Sequence, residues 1–131
     1  MDTSRRIVIT GMGAVTPLGN TVDRFWDGLI NGKSGIGRIS HFDPEGYTCT
    51  VAAEIKDLDC SDIIELKEIR RTDKVILYAL GASDMAIKDS GVDLETVNRN
   101  RFGTIIGSGI GGLQFLEIEH AKMLSRGPGR V

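Results

Sequence analysis

Residues 102–112 read Phe-Gly-Thr-Ile-Ile-Gly-Ser-Gly-Ile-Gly-Gly, a short apolar run that ends in a glycine-rich turn. A run of this length, rich in β-branched residues and bounded by glycine, is typical of a buried strand. Ile7–Thr10 forms a similar run, and it is followed by Gly11-Met12-Gly13. Because strands separated by helical patterns favour layered folds, the sequence predicts an α/β architecture with a mainly parallel sheet. Two such strands make only an incomplete sheet.

The helical segments are predicted from apolar residues that recur every three or four positions. Capping residues and glycines mark where each of these helices begins and ends. The predicted helices are one that starts at Asn20 or Thr21 and runs to Ile30, a short one capped by Ser61 and Glu65, a long one over Asp73–Asp89 with small residues for close packing, and one that carries Leu113, Phe115, Leu116, Ile118 and Met123. Lys33–Tyr47 is a predicted loop with at most a brief strand, and Thr48–Ile55 is a predicted edge strand.

Composition excludes several classes of function. The 16 basic and 18 acidic residues leave a net charge of -2, which gives no global electrostatic case for binding nucleic acid or a membrane. The 2 cysteines and 2 histidines are too few and too scattered to predict a metal site. The N-terminal apolar stretch is too short and too rich in glycine for a signal peptide or a membrane span. We therefore expect a cytoplasmic protein without a cofactor.

The glycines of the turn at Gly107–Gly112 fit the GxGxxG pattern of a dinucleotide-binding loop between a strand and a helix. The acidic residue that such a site needs at the end of a second strand does not follow either glycine turn. Glycines that only turn a strand into a helix are the competing interpretation. A nucleotide-binding domain is therefore a distant alternative.

Four basic residues, Lys67, Arg70, Arg71 and Lys74, have the spacing of one helical face if a single helix contains them all. A solvated helix face is the simpler interpretation. The functional alternative is a docking patch for an acidic partner, where these charges would accelerate association.

The cysteines and histidines show no catalytic pattern. Cys60 lies between acidic residues, which raise the pKa of a thiol and so disfavour a nucleophile. Cys49 lies in a strand-like stretch, and we expect both cysteines to be structural. His41 and His120 have no evident partner in the sequence, which favours surface or capping roles.

Four segments, taken together, resemble one family. They are Arg5-Arg-Ile-Val-Ile-Thr-Gly-Met-Gly-Ala-Val-Thr-Pro-Leu-Gly19, Gly32-Lys-Ser-Gly-Ile36, His41-Phe-Asp43 and Gly103-Thr-Ile-Ile-Gly-Ser-Gly-Ile-Gly-Gly112. These segments, in this order, resemble the N-terminal part of the elongating β-ketoacyl-[acyl-carrier-protein] synthases. The isoleucine at position 110 is more similar to the residue found there in the type II enzymes than to that in the type I enzymes.

The resemblance implies a thiolase-like layered α/β/α fold, of which residues 1–131 would be the N-terminal portion of one domain. It implies a homodimer that moves an acyl group from an acyl carrier protein to a cysteine. The family then decarboxylates malonyl-carrier protein and condenses the carbanion with the acyl thioester. The family's cysteine motif and its histidines are expected beyond Val131, so no catalytic residue is expected in this chain, and we expect residues 1–131 alone to be inactive.

The resemblance also assigns roles to particular residues. Gly109, Ile110 and Gly111 would lie beside the acyl pocket. Basic residues that match the family's carrier-protein docking positions are Lys67, Arg70, Arg71 and, less directly, Arg130, to which helical spacing adds Lys74. A non-catalytic partner subunit similar to a chain-length factor is the alternative from a different functional class.

Overall fold

The computed structural model describes residues 6–130. The chain divides into two compact units. Unit 1 contains the described residues up to Asp59 together with Gly81–Val97, and unit 2 contains Cys60–Leu80 and the residues from Asn98 onward. Helix α3, Lys74–Ser90, begins in unit 2 and ends in unit 1. No helix in the described part of the chain is long and apolar enough to cross a membrane.

Unit 1 opens with helix α1, Val22–Ile30, as the sequence predicts. Thr21 is the N-cap residue, and its side-chain oxygen accepts a hydrogen bond from the Arg24 amide at 3.2 Å. This bond satisfies one of the amides that a first helical turn leaves without a partner. The helix stops before Gly32, whose φ of 62° lies in the left-handed region that glycine adopts without steric cost.

The sheet of unit 1 is a two-stranded antiparallel ribbon. Strand β1, Ile36–Arg38, pairs with strand β2, Val51–Ala53. The brief strand predicted within the loop and the predicted edge strand are therefore confirmed. In this ribbon Ile36 pairs with Ala53, and Arg38 pairs with Val51.

The loop that follows the N-terminal apolar run packs directly on α3. A Cβ atom placed on Gly11 would lie 2.5 Å from the Ser90 amide nitrogen, and one on Gly13 would collide with the Ala82 carbonyl oxygen. The Met12 amide donates a hydrogen bond to the Asp89 carboxylate at 2.8 Å. Glycine in the loop and alanine in the helix together allow this approach of one backbone to another.

Further along α3, Gly81 is buried and a Cβ atom there would lie 3.3 Å from a methyl group of Leu58 and 3.5 Å from one of Val15. The predicted role of small residues in close packing is therefore confirmed for this helix. The observed bounds, Lys74–Ser90, differ by one residue at each end from the predicted ones.

Unit 2 consists of helices and 3-10 turns joined by irregular segments, of which the one at 102–112 is the glycine-rich stretch. Its elements are helix α2, Leu66–Ile69, the first turns of α3, a 3-10 turn at Arg99–Arg101, helix α4, Leu113–Arg126, and a second 3-10 turn at Pro128–Arg130. Helix α4 ends at Gly127, with a φ of 82°, as expected of glycines that mark the ends of the predicted helices.

Two predicted strands are absent, and this part of the prediction is wrong for the described residues. Ile7–Thr10 and Phe102–Gly107 are irregular and exposed, with Ile7 94% and Ile105 100% accessible. A strand needs hydrogen bonds from a neighbouring strand, and within residues 6–130 the only sheet is the antiparallel pair β1–β2. The predicted parallel sheet is therefore not formed by these residues.

We predict that Gly13→Ala destabilises the complete natural polypeptide by about 2–3 kcal/mol, because its methyl group would collide with the α3 backbone. Gly37→Ala is the matched control, since a Cβ atom on Gly37 has no neighbour within 4 Å. That change should alter the free energy of unfolding by less than about 0.5 kcal/mol. Urea unfolding of both variants tests this, and equal losses would contradict the packing described for Gly13.

Candidate functional site

A groove of about 370 Å³ lies in unit 2, where α2, the start of α3 and the first turns of α4 come together. Its walls combine apolar side chains with charged ones. The lining residues are Ile69, Arg70, Arg71, Thr72, Asp73, Lys74, Leu77, Gln114, Phe115 and Ile118. The groove thus contains three of the basic residues that the sequence analysis singled out.

Lys67, Arg70, Arg71 and Lys74 would share one helical face only if a single helix contained them all, and this condition is not met, because the chain breaks between α2 and α3. The Thr72 hydroxyl donates to the Glu68 carbonyl at 2.8 Å, at the end of α2.

The Asp73 carboxylate accepts from the Val75 amide at 2.9 Å and caps α3. Side chains that bond to the nearby backbone in this way compete with continuation of a helix. The turn still places Arg70, Arg71 and Lys74 around one groove.

The basic residues are accessible. Lys67, Arg70 and Arg71 are exposed, and no carboxylate of residues 6–130 forms an ion pair with any of them. Two further basic residues do not line the groove. They are Lys67, on α2, and Arg130, in the 3-10 turn after α4. Arg70 and Arg71 thus give the rim of the groove a positive charge that an acidic partner could neutralise.

Asp73 connects this rim to the glycine turn before α4. A Cβ atom on Gly112 would lie 3.7 Å from the Asp73 carboxylate, and Gly112 itself has a φ of 33°. Gly112 is the N-cap residue of α4, so the Asp73 carboxylate lies beside the residue from which this helix begins. Burial, followed by the charge of Asp73, raises the pKa of the Tyr78 hydroxyl.

The glycine turn itself is open. Ile110 is 82% exposed, and a Cβ atom on Gly107 or Gly109 would have no neighbour within 4 Å. Gly111, with a φ of 65°, and Gly112, with a φ of 33°, both adopt the left-handed conformation, and a Cβ atom on Gly111 would lie 3.3 Å from the Ser108 hydroxyl. The placement of Gly109, Ile110 and Gly111 beside an acyl pocket stays a prediction.

The two cysteines differ in their environments. Cys60 is 2% exposed, and its thiol donates to the Leu77 carbonyl of α3 at a sulfur–oxygen distance of 3.6 Å. Cys49 is exposed, and its thiol donates to the Val51 carbonyl at 3.3 Å. Both thiols thus bond to nearby backbone carbonyls.

His41 has a partner that the sequence analysis did not find. Its Nε2 lies 3.9 Å from Oε1 of Glu54, whose side chain is almost completely buried. The same carboxylate accepts hydrogen bonds from the Ser40 hydroxyl at 2.7 Å and from the Ser40 and His41 amides. The Ser40 hydroxyl and amide are the main reason that the pKa of Glu54 falls from its usual 4.5 to about 2.

We predict that ionised Glu54 stabilises the folded state above pH 4.5 and loses this effect as the pH falls towards about 2, because its pKa is lower in the folded than in the unfolded chain. Glu54→Gln should lower the thermal midpoint of the complete polypeptide at pH 7, and the difference from the natural protein should shrink in acid. Glu117→Gln, at an exposed position of α4, is the control. Parallel pH profiles for the natural and Glu54→Gln proteins would contradict the assignment.

The sequence analysis placed Phe115 and Ile118 on the apolar face of the last helix but did not connect them with the basic residues. Their spacing of three positions put them on one helical face. This face meets the turn between α2 and α3 because of tertiary packing, which cannot be predicted from a local sequence pattern. Gln114 was missed altogether.

Comparisons with known proteins agree with this architecture. The family model described as "Beta-ketoacyl synthase, N-terminal domain" matches residues 4–129. A solved structure entitled "The ishigamide ketosynthase/chain length factor" superposes with a TM-score of 0.71 and 26% identity, over 94% of this chain and 30% of the other. The fold is that of the thiolase-like ketosynthases. The chain belongs to the β-ketoacyl synthase family and corresponds to its N-terminal domain.

Curated relatives are similar over nearly the whole chain. The 3-oxoacyl-[acyl-carrier-protein] synthase 2 of Vibrio harveyi is 42% identical over 97% of this chain, and that of Synechocystis sp. is 40% identical over 96%. The Staphylococcus aureus (strain COL) protein of the same name is 41% identical over 100%. The chain spans about a third of the length of these relatives, 30–32%.

Proposed function

We propose that this chain is the N-terminal part of a type II β-ketoacyl-[acyl-carrier-protein] synthase of fatty-acid elongation, an acyltransferase. The observation that carries the proposal is the identity of 40–42% to proteins named 3-oxoacyl-[acyl-carrier-protein] synthase 2. The complete protein would then be a cytoplasmic homodimer whose substrates arrive on an acyl carrier protein.

The reaction has two steps. A cysteine thiolate attacks the acyl thioester, a new thioester forms on the enzyme, and the carrier's thiol leaves. Malonyl-carrier protein then loses carbon dioxide, and the electron pair of the broken bond attacks the enzyme-bound acyl carbonyl. The cysteine thiolate leaves as the β-ketoacyl product forms. Neither Cys49 nor Cys60 lies in the family's nucleophile motif, so we assign this thiolate to a residue outside the described range.

The present residues would contribute binding and specificity. Arg70, Arg71 and Lys74 at the groove would receive the acidic carrier protein, together with Lys67 on α2 and Arg130 in the last 3-10 turn. Gly109, Ile110 and Gly111 would border the acyl chain. This assignment is supported by the exposure of the basic residues and by the contact between Asp73 and the glycine turn.

A non-catalytic partner subunit is the second candidate, because the matching solved structure includes "chain length factor" in its title. Such a subunit could share this N-terminal fold and still lack a nucleophile. A nucleotide-binding domain has less support, because the acidic residue that such a site needs at the end of a second strand does not follow the Gly107–Gly112 motif.

One assay separates these candidates. The complete polypeptide is incubated with acyl- and malonyl-carrier protein, and the products and the protein are analysed by mass spectrometry. A synthase gives a β-ketoacyl product with two more carbons and carries the acyl group on a cysteine other than Cys49 and Cys60. Absence of both product and acyl-enzyme would contradict the proposal, and a thermal shift with NAD or ATP would favour nucleotide binding.

We predict that reversing the charge of Lys67, Arg70 and Arg71 to glutamate weakens carrier-protein binding about ten-fold or more at low ionic strength, because an acidic partner is then repelled. The salt dependence of the dissociation constant should also flatten. Arg38→Glu, on β1 in the other unit, is the control for a change of net charge. Unchanged binding by the triple variant would contradict the docking role and favour the interpretation of these residues as a solvated helix face.

We predict that Ile110→Phe shortens the longest acyl chain that the complete enzyme accepts, because the larger ring fills space beside the chain. The measurement is the rate of condensation with a series of acyl-carrier substrates. Ile110→Val, which removes volume, should not shorten the range. An unaltered substrate profile for Ile110→Phe would place this residue away from the acyl chain.

A further inference from the structure

Helix α1 ends at an asparagine that is followed by glycine. The asparagines of the sequence are Asn20, Asn31, Asn98 and Asn100, and of these only Asn31 precedes a glycine. The backbone nitrogen after an asparagine can attack the side-chain amide carbon, and glycine leaves this nitrogen unhindered because it has no Cβ atom. Asn31 and Gly32 are both exposed, so water and base reach them.

In the folded chain, backbone hydrogen bonds close this end of α1. The Gly32 amide donates to the Leu29 carbonyl at 3.1 Å, and the Lys33 amide donates to the Gly28 carbonyl at 2.9 Å. Together with the left-handed φ of 62° at Gly32, these two bonds form a Schellman motif. The nitrogen that would attack the asparagine side chain is therefore bonded to the helix.

The Asn31 side chain is held as well. Its Nδ2 donates to the Asp27 carbonyl at 2.8 Å and to Oδ1 of the Asp27 carboxylate at 2.9 Å. Oδ2 of the same carboxylate accepts a hydrogen bond from the Lys33 ammonium group at 2.7 Å. The two reacting groups can therefore meet only when the turn opens. Exposed ends of helices are among the parts of a fold that open locally at low cost.

We propose that Asn31 is a site of spontaneous modification, at which the side-chain amide is lost when the last turn of α1 opens. The Gly32 nitrogen attacks the side-chain carbonyl carbon and gives up its proton. The bond from that carbon to Nδ2 then breaks, and ammonia leaves with the proton. Water hydrolyses the remaining cyclic imide at one carbonyl to give aspartate, or at the other to give isoaspartate.

Either product disrupts the end of the helix. A carboxylate at position 31 cannot donate to Asp27, and it places a second negative charge four residues from the first, where like charges repel. A negative charge at the C-terminal end of a helix is also unfavourable with the helix dipole. Isoaspartate adds a carbon atom to the main chain before Gly32, which misaligns the Schellman bonds. The modified chain therefore keeps this turn open for more of the time.

The test is incubation of the complete polypeptide in mildly alkaline buffer, with peptide mass spectrometry to follow the conversion of each amide to a carboxyl group. Asn31 should be modified several-fold faster than Asn100, the matched control, which is exposed but precedes an arginine. Asp27→Ala should accelerate the loss of the Asn31 amide about three-fold, because it removes a hydrogen bond that holds this side chain. Equal rates at Asn31 and Asn100 overturn the proposal.

The same reaction in urea tests the need for opening without any substitution. Asn31 should lose its amide faster in the unfolded polypeptide than in the folded one at the same pH, because the bonds at the end of α1 are then absent. An equal rate in the two states overturns the proposal that opening controls the reaction.

Hydrogen–deuterium exchange tests the consequence for the helix. The amides of residues 31–33 should exchange about three-fold faster in Asn31→Asp than in the natural protein. Adding Asp27→Asn to Asn31→Asp should slow their exchange again, because it removes the like charge and supplies an amide donor. Unchanged exchange in Asn31→Asp overturns the claim that the modification opens this turn.

Discussion

Close contact between two backbones organises unit 1. The chain at Gly11 and Gly13 lies against α3 so tightly that a side chain at either position would overlap the helix backbone. The Met12 amide, held by Asp89, fixes the register of the loop along the helix. Since interiors are packed without spare volume, this contact leaves little freedom in where α3 lies. The glycines of the first turn therefore serve packing, and the nucleotide hypothesis is not needed to explain them.

The first residues of α3 belong to the candidate site in unit 2. Asp73 caps the helix, stands among the basic residues of the groove, and lies beside Gly112 at the start of α4. One residue thus touches both the surface proposed for docking and the turn that carries Ile110.

Local signals were the ones that could be read from the sequence. The α1 helix and the ends of α3 and α4 follow from caps and glycines a few residues away, such as Thr21 and Gly127. The apolar runs at Ile7–Thr10 and Phe102–Gly107 show what local sequence cannot predict. Their composition indicates strands, but a strand forms only where a neighbouring strand completes its hydrogen bonds. For the candidate site, the basic residues were predictable as a cluster. The break in the helix at Thr72 could not be predicted, because it depends on side chains that bond to the nearby backbone. The position of Phe115 in the lining of the groove could not be predicted either, because tertiary packing decides it.

The central claim is that the segments around the groove and the glycine turn together receive a loaded carrier protein. Hydrogen–deuterium exchange of the complete enzyme, with and without an acylated carrier protein, tests both parts at once. The account predicts slower amide exchange at residues 66–74 and 113–118 when any carrier is bound, and at residues 107–112 when the carrier bears an acyl chain. Protection that appears elsewhere on the enzyme and leaves these segments unchanged would contradict it.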